Sequence, residues 1–386
     1  MNILFISTLF LFRETRFGGS KRLYAIAKEL SKKHDVHVLC LDGCNEIGNK
    51  NNYPVEFEHF LYVPEDRPRR LHERHLPINH IPYLIGRHES GISLFVNAAA
   101  FDAVFLAFPY ALSFLDILPE AARGKVTYLE DDLYLEKLRM EAEVLSNPVR
   151  RFWKRFRYRQ LLDYYGKRLH HIKHFIGISR EEIEIFRRYF PWVDAKVITY
   201  GVDPLEFQFL PPPQDRSTVG FLGNYRHTPN RDGMEWFLRR CLQPLANKNP
   251  AIKFCWAGPN IPESLRKEFG AVPSLIWRDD VADVRDFYSS ISVFVNPIVS
   301  GRGLRTKLIE AAALGRPIVS TRLGAEGLDD LKIERADDPD TIAAACTELV
   351  NNADYYHETA RHNKKIVSEK YTAAEIARQV EEVLFS

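Results

Sequence analysis

The stretch Asn296-Pro297-Ile298-Val299-Ser300-Gly301-Arg302-Gly303-Leu304-Arg305-Thr306-Lys307-Leu308-Ile309-Glu310 gathers the residue types that bind an anion. The apolar run 292–296 before it reads as a buried strand, and 306–314 has the pattern of a helix. The stretch thus leaves the C-terminal end of a strand, crosses a small-residue loop and enters a helix. That is where open α/β sheets hold ligands. Gly301 and Gly303 let the backbone come close to an anion. The amides of Gly303 and Leu304 and of the helix's first turn, at the positive end of its dipole, face the same point. Arg305 and Lys307 add two cations, so a diphosphate fits. Glu310, one turn on, is placed to accept two hydrogen bonds from a ribose hydroxyl pair. Taken singly, Arg305, Lys307 and Glu310 read better as a solvated helix face with a weak i,i+3 ion pair. The glycine loop, the buried strand before it and the clustered cations together favour the anion site.

Such a loop needs a sheet to hold it, and the chain supplies strands and helices in alternation. The segments 3–8, 36–40, 103–107, 125–128, 175–179 and 196–200 read as strands in the N-terminal half. A loop with Gly18-Gly19 and a helix over 21–32 follow the first of them. A long helical region covers 133–171, and Ser179 is placed to cap the helix that begins at Arg180. Leu210-Pro211-Pro212-Pro213-Gln214-Asp215 breaks the pattern and reads as a linker. Beyond it, 218–223, 253–258, 275–277, 292–296 and 317–321 are strands. Helices are expected within 232–245 and over 306–314, 340–351, 355–371 and 373–384. The fold expected is α/β, with two Rossmann-like domains facing across a cleft. Their limits are 1–205 for the first, 206–216 for the linker and 217–371 for the second, with the helix over 372–386 packing back on the first.

Composition narrows the partners. The chain has 386 residues, 45% hydrophobic and 27% charged, with a net charge of +2, which argues against a nucleic-acid binder. The five cysteines, at 40, 44, 241, 255 and 346, have no zinc or redox spacing, and a reducing, cytoplasmic setting fits them. No apolar run approaches the roughly 20 residues of a membrane-spanning helix. His72, His75, His80 and His88 fall in an expected loop, and their spacing fits no helical ligand pair, so no metal site is expected. The one dense charge run is 150–159, in which six cations interleave with four aromatics. It reads either as an amphipathic helix on an anionic membrane surface or as a helix that turns its aromatics inward.

From Val219 to Leu328 the chain resembles the family 4 glycosyltransferases of GT-B fold, most closely a subgroup that acts in bacterial surface polysaccharide assembly. The matching pieces are Gly223-Asn224-Tyr225-Arg226-His227-Thr228-Pro229-Asn230, Trp236-Phe237 and Val281-Ala282-Asp283-Val284-Arg285. Asn296-Pro297, Gly303 with Arg305 and Lys307, Glu310-Ala311 and Gly324-Ala325-Glu326-Gly327-Leu328 complete the set. The resemblance implies a sugar transferred from a nucleotide-sugar with retention of configuration, the donor on the C-terminal domain and the acceptor on the N-terminal one. The nucleotide-sugar is then a substrate, and no cofactor is implied. Glu310 matches the second Glu of the family's paired-glutamate motif, which holds the ribose, whereas Arg302 stands where the first would be. Asn224 and Arg226 are the nearest match to the Arg and Lys that many members place after the first C-domain strand.

In the N-terminal half, Gly18-Gly19 matches the family's glycine loop, whose amides face the donor phosphates; a tight turn before a helix explains the pair equally. Glu130-Asp131-Asp132 follows a strand, with Asp132 the best match to the subgroup's aspartates. These acids could position an acceptor or act as base, or cap the next helix. The acceptor implied is a glycan, a lipid-linked sugar or a protein, with peripheral contact at the inner face of a membrane if 150–159 lies on one. Two other classes stay open. One is a relative that binds without catalysis in an assembly complex, favoured by Arg302. The other is a sugar-nucleotide epimerase of the same fold. A dinucleotide-dependent dehydrogenase fits worst, because Phe17-Gly18-Gly19-Ser20 lacks the three-glycine fingerprint.

Overall fold

The computed structural model describes residues 1–8, 18–41, 57–63, 77–131, 133–279, 281–301 and 303–386. They form two compact units, Met1–Thr199 with Ala373–Ser386, and Tyr200–Thr372.

The first unit runs β1 (Asn2–Ser7), α1 (Gly18–Ser31), β2 (Asp35–Leu41), β3 (His59–Val63), α2 (Pro77–Arg87), α3 (Glu89–Val96), β4 (Ala103–Ala107) and β5 (Val126–Leu129). It continues through α4 (Tyr134–Val144), α5 (Pro148–Arg168), β6 (His174–Gly177), α6 (Arg180–Tyr189) and β7 (Asp194–Val197). The strands pair in parallel in the order β3-β2-β1-β4-β5-β6-β7. Both faces of this sheet are covered, which is why β1 and β4 read as unbroken apolar runs. Alternate side chains of β1 enter opposite clusters: Leu4 and Ile6 pack on one face, Ile3 and Phe5 on the other.

The second unit contains β8 (Thr218–Leu222), α7 (Thr228–Arg240), β9 (Lys253–Ala257), β10 (Leu275–Arg278), β11 (Val293–Asn296), α8 (Thr306–Ala313), β12 (Ile318–Ser320), β13 (Ile333–Arg335), α9 (Pro339–Asn351) and α10 (Ala353–Lys370). Its six parallel strands lie in the order β10-β9-β8-β11-β12-β13. The chain winds one way from β8 to β10 and the other way from β11 to β13, so β8 and β11 flank the topological switch point. The final helix, α11 (Ala373–Phe385), packs on α1 of the first unit.

Four local features differ from the expectations. α1 starts at Gly18, so the two glycines form its first turn instead of a loop before it. The long helical region is two helices: Asn147 accepts from the Arg150 N–H at 3.0 Å and Pro148 opens α5, a restart that ends the preceding turn. His80 lies in α2 and His88 between α2 and α3, so this segment is helical and not a loop. His72 and His75 lie outside the described residues. The proline segment expected as a linker is held inside the second unit. There the Leu210 N–H donates to the Leu314 carbonyl (3.2 Å), and the buried Arg316 donates to the Pro211 carbonyl (2.8 Å).

Candidate active site

The loops after β8 and β11 meet at the switch point of the second unit. All four residues of β11 are buried, and its last, Asn296, donates to Ser320 Oγ (3.0 Å) and to the Gly324 carbonyl (3.1 Å). The loop after β11 is thereby tied to the loop after β12. Gly301 and Gly303 both have positive φ, 83° and 96°, a region costly for any residue with a Cβ. A Cβ on Gly301 would also stand 2.6 Å from Pro229 Cγ. Among the described residues no side chain caps the start of α8, and its first-turn amides are placed to meet an anion. The half-buried Arg305 immediately precedes this turn, with Nη2 3.6 Å from where that Cβ would be.

Lys307 turns back from α8 towards the loop after β8. Its Nζ donates to Asn230 Oδ1 (3.1 Å) and lies 4.8 Å from the centre of the Phe221 ring. The buried Asn230 in turn donates to the Asn224 carbonyl (3.0 Å). Asn224 Oδ1 accepts from the Arg226 N–H (2.9 Å) and from Asn260 Nδ2 (3.0 Å). Lys307, Asn230 and Asn224 therefore link the two loops through one chain of hydrogen bonds. Burial of the ammonium pushes the Lys307 pKa down to about 8, with Glu310 opposing the shift and Arg305 adding to it. The half-buried Glu310 stands beside the Tyr288 phenol, whose pKa is raised well above normal, first by burial and then by that carboxylate. The Tyr288 hydroxyl donates to the Lys307 carbonyl at 3.1 Å. At the loop's outer edge Ser300 Oγ donates to Asp232 Oδ2 (2.8 Å).

Of the residues expected from sequence, the second unit thus brings together Gly303, Leu304, Arg305, Lys307, Glu310 and Asn224. Arg226 joins through its backbone, and its side chain is exposed. Arg302 lies outside the described residues, as does Asp132. Asn230, Asn260 and Tyr288 carry no role in the sequence reading. Asn230 stands within the resemblance, while Asn260 lies in a turn and Tyr288 in the short helix Val284–Ser289, and their spacing to Lys307 says nothing.

In the first unit Gly18 and Gly19 open α1, which carries the buried Arg22 on its next turn. Arg22 forms an ion pair with Asp131 and donates to the Ile198 carbonyl. Glu130 is buried and accepts from the Tyr128 and Tyr165 hydroxyls and from the Tyr134 N–H, each at 2.7 Å. Burial raises its pKa, while these hydrogen bonds pull the other way. Glu130 therefore serves the start of α4, and Asp131 holds Arg22. Among the described residues, one group has ligand types close enough for a metal ion: Asp35, His37 and His59, with their ligand atoms within 4.8 Å of one another. They stand on the N-terminal portions of β2 and β3, away from the C-terminal strand ends where such sheets hold ligands.

Two doubly wound parallel sheets in tandem make this a GT-B fold. The structure is similar over 99% of its length to sucrose-phosphate synthase from Thermosynechococcus elongatus, of which 98% is covered, with a TM-score of 0.73 and 13% identity. HepE of Anabaena, solved with UDP and glucose, is covered over 99% by all of this chain, with a TM-score of 0.67 and 14% identity. WaaG, a glycosyltransferase involved in lipopolysaccharide biosynthesis, matches over 99% of both chains at 0.64 and 13%. At these identities the likeness is one of fold. Residues 216–352 match the family model of the glycosyl transferases group 1. That match lies within the second unit. An uncharacterized 44.6 kDa protein of the cps region of Klebsiella pneumoniae is 30% identical over 116 residues, which span 28% of this chain and 30% of that one.

Proposed function

We propose that this chain is a retaining glycosyltransferase that moves a sugar from a nucleotide-diphosphate sugar to a glycan, lipid-linked or protein acceptor. Surface polysaccharide assembly is the setting that the cps-region relative supports, and a cytoplasmic location belongs to the same reading. The observation that carries the reading is the Lys307–Asn230–Asn224 chain beside an uncapped helix start at the switch point. In this reading the Gly303 and Leu304 amides and the first turn of α8 hold the diphosphate, and Glu310 holds the ribose. Arg305 and Lys307 stabilise the charge that builds on the leaving phosphate, a contribution that commonly dominates such a step. Arg302 contacts the donor sugar, and Asp132 is the acceptor-side candidate. The structures of HepE with UDP-glucose make that donor the first to try.

The test is thermal unfolding of the protein against UDP, GDP, dTDP, CDP and ADP. At about 100 times its Kd a ligand stabilises by roughly 2.7 kcal/mol, which moves the melting temperature by several degrees. A shift with one nucleotide that Glu310→Ala removes, followed by sugar transfer from the matching donor, is the expected result. No shift with any of them refutes the donor site. A shift without transfer or donor hydrolysis leaves a binding protein, the reading that Arg302 in place of a Glu favours.

A further inference from the structure

The first half of α5 is built unlike any other helix of the first unit. Its buried side chains, Leu161, Tyr164 and Tyr165, all fall in its second half. Over 148–160 no side chain is buried. Yet Val149, Phe152, Trp153 and Phe156 recur there at the i, i+3, i+4, i+7 spacing of a single helix face, and all four are exposed, Phe152 by 65% and Trp153 by 56%. The rings touch edge to face, Phe152 to Trp153 at 6.1 Å and Trp153 to Phe156 at 5.9 Å, so they form one apolar strip. Val144, 84% exposed at the end of α4, adds to it across the three-residue turn.

Within α5 the charge that flanks this strip is of one sign only. No acid stands between Glu143 and Asp163. Lys154 pairs with Glu141, while Arg150, Arg151, Arg155, Arg157 and Arg159 form no ion pair with any described residue. The expectation that the aromatics turn inward therefore holds only for the half-buried Tyr158. A partner for such a face must be anionic over its whole area and apolar just beneath, as an anionic bilayer is and a folded protein surface rarely is.

We infer that α5, over 149–159, docks this chain on an anionic phospholipid surface, the three rings entering the headgroup–acyl boundary and the arginines pairing with lipid phosphates. This segment is about 16 Å long, and it lies along the surface: no helix among the described residues is long and apolar enough to cross a membrane. The inference uses only α4 and α5 and does not rest on the donor site.

The experiment is co-sedimentation of the full chain with vesicles of phosphatidylcholine alone and with roughly 30% phosphatidylglycerol added. Binding should be at least about tenfold tighter on the anionic vesicles and weaken sharply as salt rises from about 0.1 M to about 0.5 M. Phe152→Ser with Trp153→Ser should weaken it at least about tenfold. Arg155→Glu with Arg159→Glu should cost more, since each cation near the surface is worth about fivefold. Blue-shifted tryptophan emission on vesicle addition, absent in Trp153→Phe, should report insertion. Each variant is checked for an unchanged melting temperature, and the two pairs act through different chemistry, so either can sink the idea. No binding by the unaltered chain, equal binding to both vesicles, or indifference to both double substitutions overturns it. So would retention of a protein partner through this face with no affinity for vesicles.

Discussion

If Lys307 lies on the donor diphosphate as proposed, donor binding depends on pH in a way that can be calculated. Its pKa is depressed from 10.5 to about 8, so the unliganded fold disfavours the ammonium by about 3 kcal/mol. A bound diphosphate supplies the negative charge that burial denies it, and the lysine takes up a proton as the donor binds. With a pKa of about 8, roughly three-quarters of the lysines are neutral at about pH 8.5 and roughly a tenth at about pH 7. If the complex holds Lys307 charged throughout, affinity falls about fourfold between those two pH values, or about 0.8 kcal/mol. The sign is fixed: a depressed lysine pKa weakens binding as pH rises through it. A nucleotide-sugar is the right ligand, because its diphosphate carries no titrating proton in this range. Calorimetry at about pH 8.5 in two buffers of different ionisation enthalpy should show uptake of about three-quarters of a proton. Lys307→Met should bind more weakly, show no uptake, and melt higher than the parent at neutral pH, since it removes the buried ammonium. Constant affinity across the range, with no proton uptake by the parent, would refute the placement of Lys307 on the diphosphate.

Asn230→Asp sets a carboxylate 3 Å-scale from the ammonium that Asn230 Oδ1 now accepts from; it should raise the Lys307 pKa and flatten the pH dependence while weakening donor binding. Calorimetry on the variant checks both effects. Arg22→Met removes the buried ion pair to Asp131 and the hydrogen bond to the Ile198 carbonyl and should lower the stability of the first unit by about 3 kcal/mol in denaturant unfolding. With Arg305 and Lys307 neutralising the leaving diphosphate, transfer should persist in excess chelator; loss of turnover that magnesium restores would count against that division of roles.

The strand–loop–helix around Gly301 and Gly303 was legible because three independent signals coincide there: a buried apolar run, two glycines and a helical pattern. The parallel α/β class followed from the alternation of strands and helices, while the strand order did not. The start of α1 was not legible, since Gly18 and Gly19 are poor helix formers and only tertiary packing places them in a turn of helix. β13, three residues with only Ile333 buried, has too little pattern to read as a strand. The proline segment looked like a linker because nothing in its composition reveals Arg316, more than a hundred residues away, fastening Pro211. The hydrogen-bond chain Lys307–Asn230–Asn224–Asn260 was hidden for the same reason. Its members come from α8, from the β8–α7 connection and the first turn of α7, and from the turn after β9, and only the strand order brings them together.

The position of α11 has a consequence for synthesis on the ribosome. Ile376, Val380, Val383 and Leu384 share a cluster with Phe5, Leu23, Ile26 and Leu30, yet the whole of Tyr200–Thr372 is translated between them. At about 5–20 residues per second, the apolar face of β1, β4 and α1 waits roughly 10–35 s for its cover. The unit that emerges first is completed last, and the nascent chain is most exposed to chaperones and to aggregation while the second unit is being made.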